Sequence, residues 1–237
     1  MGDERVDNRV AIVTAASQGI GEACARRLAG DGWKVALMSR SDRVLQVAES
    51  IEGLGVQGSI TEVEDLEHIV ASTHERWGRL DAVVANCGHL PTGDLLSLTD
   101  DQWRHGVDMV LLSVQRLARV AVEAMRASGG GSMTCISGAA AKEVMPAYPL
   151  STILRAGLSA YVRLAAKQWA PDVRINAVLP GFVDSYDVSD EVLAMIPFDR
   201  PARVAEIANV VAFLSGDGAS YVTGESIRVD GGLTSAV

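Results

Sequence analysis

Short runs of consecutive apolar, largely β-branched residues alternate along this chain with longer stretches whose apolar positions recur at helical spacing. That alternation predicts an α/β protein built on a parallel sheet covered by helices on both faces. Strands buried on both sides read as continuous apolar runs, without the polar alternation of a half-exposed strand. Strands are expected at 10–14 (VAIVT), 34–39 (KVALMS), 81–86 (DAVVAN), 132–137 (SMTCIS), 174–179 (RINAVL) and 226–229 (SIRV), with a shorter one at 56–60. Helices are expected at about 19–31, 43–54, 62–77, 100–127, 150–169 and 205–215. No Pro/Ser-rich linker and no internal repeat breaks the alternation, so residues 1–237 read as one domain. The least patterned segment, 181–201, follows a strand. In an open α/β sheet that puts it at the carboxyl ends of the strands, beside the ligand crevice, where it reads as a lid.

Composition narrows the partners. Over 237 residues, 21 Lys+Arg against 30 Asp+Glu leave a net charge of -9, and aromatic residues make up 5%. Such a chain is a poor match for nucleic acid or an anionic membrane. Cys24, Cys87 and Cys135 are widely spaced and follow no metal-ligand pattern, so they read as small buried residues in a reducing compartment, and no metal site is expected. The opening MGDERVDNRV lacks the apolar run of a signal peptide, and Gly2 lacks the Ser or Thr that N-myristoylation wants where Val6 stands. With no long apolar run to span a membrane, a cytoplasmic protein is expected.

The first strand runs into Thr14-Ala15-Ala16-Ser17-Gln18-Gly19-Ile20-Gly21 and then a helix. Glycines in such a turn let backbone N–H groups and a helix amino terminus approach a pyrophosphate, whose charge the helix dipole favours. Three further segments fall in order behind this turn: ANCG at 85–88, NAVLPGFVDS at 176–185, and a tail running from Arg200 through FLSG at 213–216 to VTGESIRVDGG at 222–232. Together they resemble the short-chain dehydrogenase/reductase family over nearly the whole chain, matching its TGxxxGIG, NNAG and NxxxPG motifs. The resemblance implies a single-domain, Rossmann-type doubly wound parallel sheet. It also implies a nicotinamide dinucleotide held by Thr14, Ser17, Gln18, Gly19, Ile20, Gly21, Asn86, Gly88, Pro180 and Gly181. Ala15 replaces the first motif glycine, and Ser59 stands where the family usually carries Asp, so weakened binding is expected. Strand two ends in Ser39-Arg40 rather than a carboxylate. An arginine there can take a 2'-phosphate, which favours NADP(H) over NAD(H).

The same resemblance locates the family's catalytic Asn, Ser, Tyr and Lys, and all four are changed. They fall on Val110, Gly138, Ser151 and Arg155, the last two within SerThrIleLeuArg at 151–155 followed by AGL. A serine hydroxyl is a far weaker acid than a tyrosine and too short to replace it. Arg155 can still bind the nicotinamide ribose, but it cannot shuttle protons. Other acids are available. Tyr148 stands just before Pro149, a natural first residue of a helix; Ser137 leaves a strand one residue before Gly138; His89 follows ANCG at the crevice mouth. Tyr148, Ser137, Ser151, Arg155 and His89 are therefore the candidate catalytic residues. Asp184 and Tyr186 are candidate substrate contacts, while His68, His74 and His105 read as surface or packing residues.

Three functions remain open at this stage. One is hydride transfer to or from a small apolar carbonyl or hydroxyl substrate by an atypical mechanism. The others are a non-redox dehydration, isomerisation or cyclisation in the same pocket, and a non-catalytic assembly partner. A homodimer or homotetramer is expected from the resemblance; Leu111, Val114, Leu117 and Ala121 suit such an interface and suit core packing equally well.

Overall fold

The computed structural model describes residues 8–235; the readings on Gly2 and Val6 lie outside them. Seven parallel strands form one sheet: β1 (Val10–Thr14), β2 (Lys34–Ser39), β3 (Leu54–Gln57), β4 (Ala82–Ala85), β5 (Gly131–Ile136), β6 (Val173–Pro180) and β7 (Ser226–Val229). Their order is β3-β2-β1-β4-β5-β6-β7. Ile12 of β1 pairs with Ala36 on one side and Val83 on the other, so the chain winds outward in both directions from this strand. The reversal of order between β1 and β4 is the topological switch point, and it opens a crevice at the carboxyl ends of both strands.

Among the described residues eight α-helices accompany the sheet: α1 (Gly19–Gly30), α2 (Arg43–Ser50), α3 (Val63–Trp77), α4 (Asp100–Val107), α5 (Ser113–Ala127), α6 (Pro149–Trp169), α7 (Asp190–Leu193) and α8 (Val204–Ser215). Successive side chains of a strand point to opposite faces, which divides the core in two. Ile12, Met38 and Met133 pack with Leu66, Leu117 and Leu158 under α3, α5 and α6. Val13, Leu37 and Val84 pack with Leu28 and Ile207 under α1 and α8. The expected α/β, doubly wound parallel architecture is what the chain adopts.

Three local differences have identifiable causes. The strand expected at 56–60 runs instead over Leu54–Gln57. Asp65 of α3 accepts the Ser59 N–H at 2.7 Å and draws 58–61 into a turn. The single helix expected at 100–127 is divided: α4 ends at Val107, a widened π turn covers Asp108–Leu112, and α5 follows. Ser113 donates to the Met109 carbonyl at 2.6 Å across that turn, and Arg116 pairs with Asp108 at 3.1 Å. The extra residue in the turn rephases the apolar stripe. Of the positions that suited either an interface or the core, Val114, Leu117 and Ala121 are buried in the core, whereas Leu112, Ile153 and Leu164 are exposed apolar positions of this region.

Segment 181–201 is tied at both ends. Val183 bridges Ala202, and Ile196 and Pro197 rest on Gly231 and Gly232, whose φ values of +64° and +85° let the chain turn beneath them. Between these anchors Tyr186, Met195 and Phe198 are exposed. Among the described residues no helix is long and apolar enough to cross a membrane.

Candidate active site

The crevice at the switch point is a cleft of about 820 Å³ running from α1 and the end of β2 to the start of α6 and the segment after β6. Its first half is shaped by backbone. Thr14, at the buried end of β1, donates to the Asn86 carbonyl at 2.7 Å and accepts the Asn86 N–H at 2.9 Å, locking the ends of β1 and β4 together. The Asn86 amide donates to the Ala15 carbonyl at 3.2 Å. Gly21 is the residue on which this closeness depends. A Cβ there would lie 2.3 Å from the Ala15 carbonyl oxygen and 2.9 Å from Ala16 Cα, both backbone atoms that cannot give way. Ala15 itself sits at φ 48°, a left-handed conformation that a glycine would adopt without strain.

Gln18, the residue before α1, makes no side-chain capping bond, so the first N–H groups of this 12-residue helix face the cleft unshielded. Such an end attracts anions. Nearby, Ser39 donates to Ser17 at 3.0 Å, and exposed Arg40 forms no ion pair with any described residue. Glu22 of α1 bridges two more arginines of the cleft wall, Arg26 at 2.8 Å and Arg43 at 3.0 Å. The donors fit a dinucleotide: a close glycine cradle and an open helix terminus for its pyrophosphate, with an arginine at the end of β2.

The second half is shaped by side chains, above all by half-buried Arg155 of α6. Its Nε donates to Ser151 Oγ at 3.0 Å, one Nη donates to the carbonyls of Ile136 and Ser137, and the other approaches Cys87 Sγ at 3.9 Å. The aliphatic stem lies across Gly138, where an added Cβ would come within 3.3 Å of Arg155 Cδ. Gly138, Ser151 and Arg155 thus fit one another as a set: the glycine makes room and the serine accepts a hydrogen bond. The resemblance points this cation at the nicotinamide ribose; within the chain its bonds go to the end of β5. Val110, at the position expected for Asn, lies in the π turn, 1% exposed and packed in the core. It can neither hold nor relay a proton.

Phenols and an imidazole stand at the mouth. Tyr148 immediately precedes α6, with Pro149 as the first helical residue, and its ring meets Phe182 edge-on at 6.4 Å. Tyr186 meets His89 in a T-shaped contact at 5.3 Å. Although Tyr186 as a residue is 38% exposed, partial desolvation against the cleft wall pushes its phenol up, and the neighbouring Tyr148 adds to this, while the Val183 backbone and the Arg155 charge pull it back.

Of the residues singled out from sequence, Ser17, Gln18, Gly19, Ile20, Arg40, Asn86, Gly88, His89, Ser137, Tyr148, Ser151, Arg155, Pro180 and Gly181 all line this cleft. Thr14 and Gly21 do not line it; they lie beneath and hold its wall. Asp184 lines the cleft but accepts the Val204 N–H at 3.0 Å, securing the start of α8. His105, read as a surface or packing residue, is on the wall together with Met109. Their spacing of four on a helix was the available signal. Arg26 and Arg43 were also missed. Arg43 stands three residues beyond Arg40, close enough to have marked a basic cluster. Among the described residues no three His, Cys, Asp or Glu side chains are grouped as metal ligands.

Comparison with known proteins agrees with this geometry. A family model described as Enoyl-(Acyl carrier protein) reductase matches residues 14–234. The chain is 30% identical over 245 residues to Dehydrogenase/reductase SDR family member 4 of Homo sapiens, covering 96% of this chain and 88% of that protein. It is 30% identical over 238 residues to the 3-oxoacyl-(acyl-carrier-protein) reductase FabG of Escherichia coli (strain K12), covering 96% and 98%. A crystal structure described as a short-chain alcohol dehydrogenase from Sinorhizobium meliloti 1021 superposes with a TM-score of 0.91 at 26% identity, covering 98% of each chain.

Proposed function

The chain belongs to the short-chain dehydrogenase/reductase family of oxidoreductases, and on that premise we propose that it binds NADP(H) and exchanges hydride with a small, largely apolar carbonyl or hydroxyl substrate by an atypical proton route. The observation that carries the reading is the cradle at α1, where Gly21 admits no Cβ and the helix terminus has no side-chain cap. Ser17, Gln18, Gly19 and Ile20 would hold the pyrophosphate, Arg40 the 2'-phosphate, and Asn86, Gly88, Pro180 and Gly181 the nicotinamide half. Ala15, strained at φ 48°, weakens the affinity. When bound, the dinucleotide supplies or accepts the hydride.

The chain's own residues handle the proton. Tyr148 is set at the rigid start of α6 and lines the cleft. In the reductive direction it gives its phenolic proton to the substrate oxygen and is reprotonated from solvent at the cleft mouth. Ser137 and Ser151 orient the substrate, and the segment 181–201 closes over it as a lid. Exposed Leu112, Ile153 and Leu164 support assembly as a homodimer or homotetramer, and the compartment we infer is the cytoplasm.

One observation favours a second reading. Arg155 is a fixed cation that can stabilise an oxyanion without any hydride, so a non-redox conversion in the same pocket would also use it. Calorimetric titration with NADPH and NADH, followed by NADPH oxidation against a broad carbonyl panel, separates the two. NADPH bound more tightly than NADH and consumed with at least one carbonyl is the expected result. NADPH bound but never oxidised, with substrate conversion surviving removal of all nucleotide, would sink the redox reading.

A further inference from the structure

This protein is acidic, with a net charge of -9, yet its cleft is basic. Arg26, Arg40, Arg43 and Arg155 line it, against the carboxylates of Glu22 and Asp184. At the nucleotide end Glu22 answers Arg26 and Arg43. At the other end Arg155 has no carboxylate partner among the described residues: its four acceptors are two carbonyl oxygens, a hydroxyl and a thiol, all uncharged. Taking a cation part of the way out of water without a counter-charge is unfavourable. Its position is nonetheless heavily specified. Gly138 provides the space for its stem, Ser151 orients Nε, and the end of β5 fixes one Nη, which leaves N–H capacity on the other.

A second observation lies beside it. Ser137, 5% exposed and part of the cleft lining, has an Oγ that finds no hydrogen-bond partner among the described residues. An orphaned buried hydroxyl costs about 1–3 kcal/mol, so a buried hydroxyl ordinarily has a partner. The cleft around the pair is lined by apolar Met109, Met145, Phe182 and Leu233, with His89 and His105 on the wall.

We propose that this end of the cleft is a carboxylate-binding subsite, in which Arg155 and Ser137 anchor a substrate that has an apolar body and a free carboxylate. This rests on the reading of the cleft as a dinucleotide and substrate site, and it narrows the substrate class to carbonyl or hydroxy acids. The unused N–H groups of Arg155 and the Ser137 hydroxyl present donors to the two carboxylate oxygens, so one ligand group satisfies both the unneutralised charge and the orphaned hydroxyl. The apolar walls take the remainder of the molecule.

The test uses the full chain and a matched pair of probes, 3-phenylpropanoate and its neutral isostere 3-phenylpropanamide, titrated calorimetrically with and without saturating NADPH. The acid should bind at least about tenfold more tightly than the amide, as charge-assisted hydrogen bonding requires. Arg155→Gln should erase that difference, Arg155→Lys should retain part of it, and Ser137→Ala should weaken the acid severalfold while leaving the amide unchanged. If Arg155→Gln fails to fold, Gly138→Ala supplies the same information, because the added Cβ at 3.3 Å from Arg155 Cδ shifts the guanidinium and weakens the acid alone. Equal affinity for acid and amide, no detectable acid binding, or a preference for the acid that survives Arg155→Gln would each overturn the proposal. So would displacement of the acid by NADPH, which would return Arg155 to the nucleotide. Failure of the nucleotide reading is seen separately, as an absence of NADPH binding heat, while the acid-to-amide ratio is still measured without nucleotide.

Discussion

The two halves of the cleft are built on different principles. At the nucleotide end the determinants are backbone: a carbonyl, a helix terminus, and a glycine that fits because it has no Cβ. At the substrate end they are side chains that fit one another: Gly138 beneath Arg155, Ser151 beside it, Val110 withdrawn into the core. At Gly21 the backbone site tolerates almost no change, since an added Cβ meets main-chain atoms that cannot give way. A side-chain site can be exchanged as a set, because each replacement is accommodated by its neighbour. The substrate end is therefore a set of mutually packed, hydrogen-bonded side chains carried at the end of the sheet.

The comparison is broken most severely at Gly21. Gly21→Val places atoms within 2.3 Å of a backbone oxygen; the expected outcome is loss of measurable NADPH binding in calorimetry, with a lowered Tm reflecting about 1–3 kcal/mol or more of overpacking. Tyr148→Phe tests the other half. Removing a positioned general acid should reduce turnover by roughly 100 to 10,000-fold in steady-state assays and leave NADPH affinity unchanged. Equal loss from Tyr186→Phe, with Tyr148→Phe silent, would move the acid to the lid.

Arg40→Ala sharpens the nucleotide half. It should weaken NADPH by about tenfold or more, the loss of a charge-assisted phosphate contact, with NADH unaffected; a parallel loss for both nucleotides would make Arg40 a structural residue. The smallest effect concerns the joint between segment 181–201 and α8. Arg200 first, then the Arg203 backbone and side chain, hold the Glu206 carboxyl at about 2, below its ordinary 4.5. A depressed carboxyl stabilises the fold above its unfolded value and loses that contribution as pH falls through the folded one. Thermal melts should therefore show a small decrease in Tm between pH of about 4.5 and about 2 that Glu206→Gln lacks.

Much of this was open to reading before any coordinates. The strand runs at 10–14 and 34–39 coincide with β1 and β2, and Pro149 marks the start of α6. The division of 100–127 was not legible, because a π turn inserts one residue without changing the apolar composition on either side. Nor was the role of Asp65, whose bond to Ser59 shortens β3 from a distance of six residues. Asp184, a candidate substrate contact by position, turned out to secure the Val204 N–H across twenty residues.

Sequence by itself determined the sheet, its winding and the close turn between β1 and α1, because these follow from local periodicity and from a glycine whose necessity is a matter of backbone contact. Tertiary structure alone decided the substrate end. Where Arg155 points, what neutral groups it bonds, why residue 138 must be glycine and which hydroxyl is orphaned depend on β4, β5 and α6 meeting, and no local pattern encodes the distances between them. Side-chain chemistry is set by neighbours remote in the chain, and only the fold makes them neighbours.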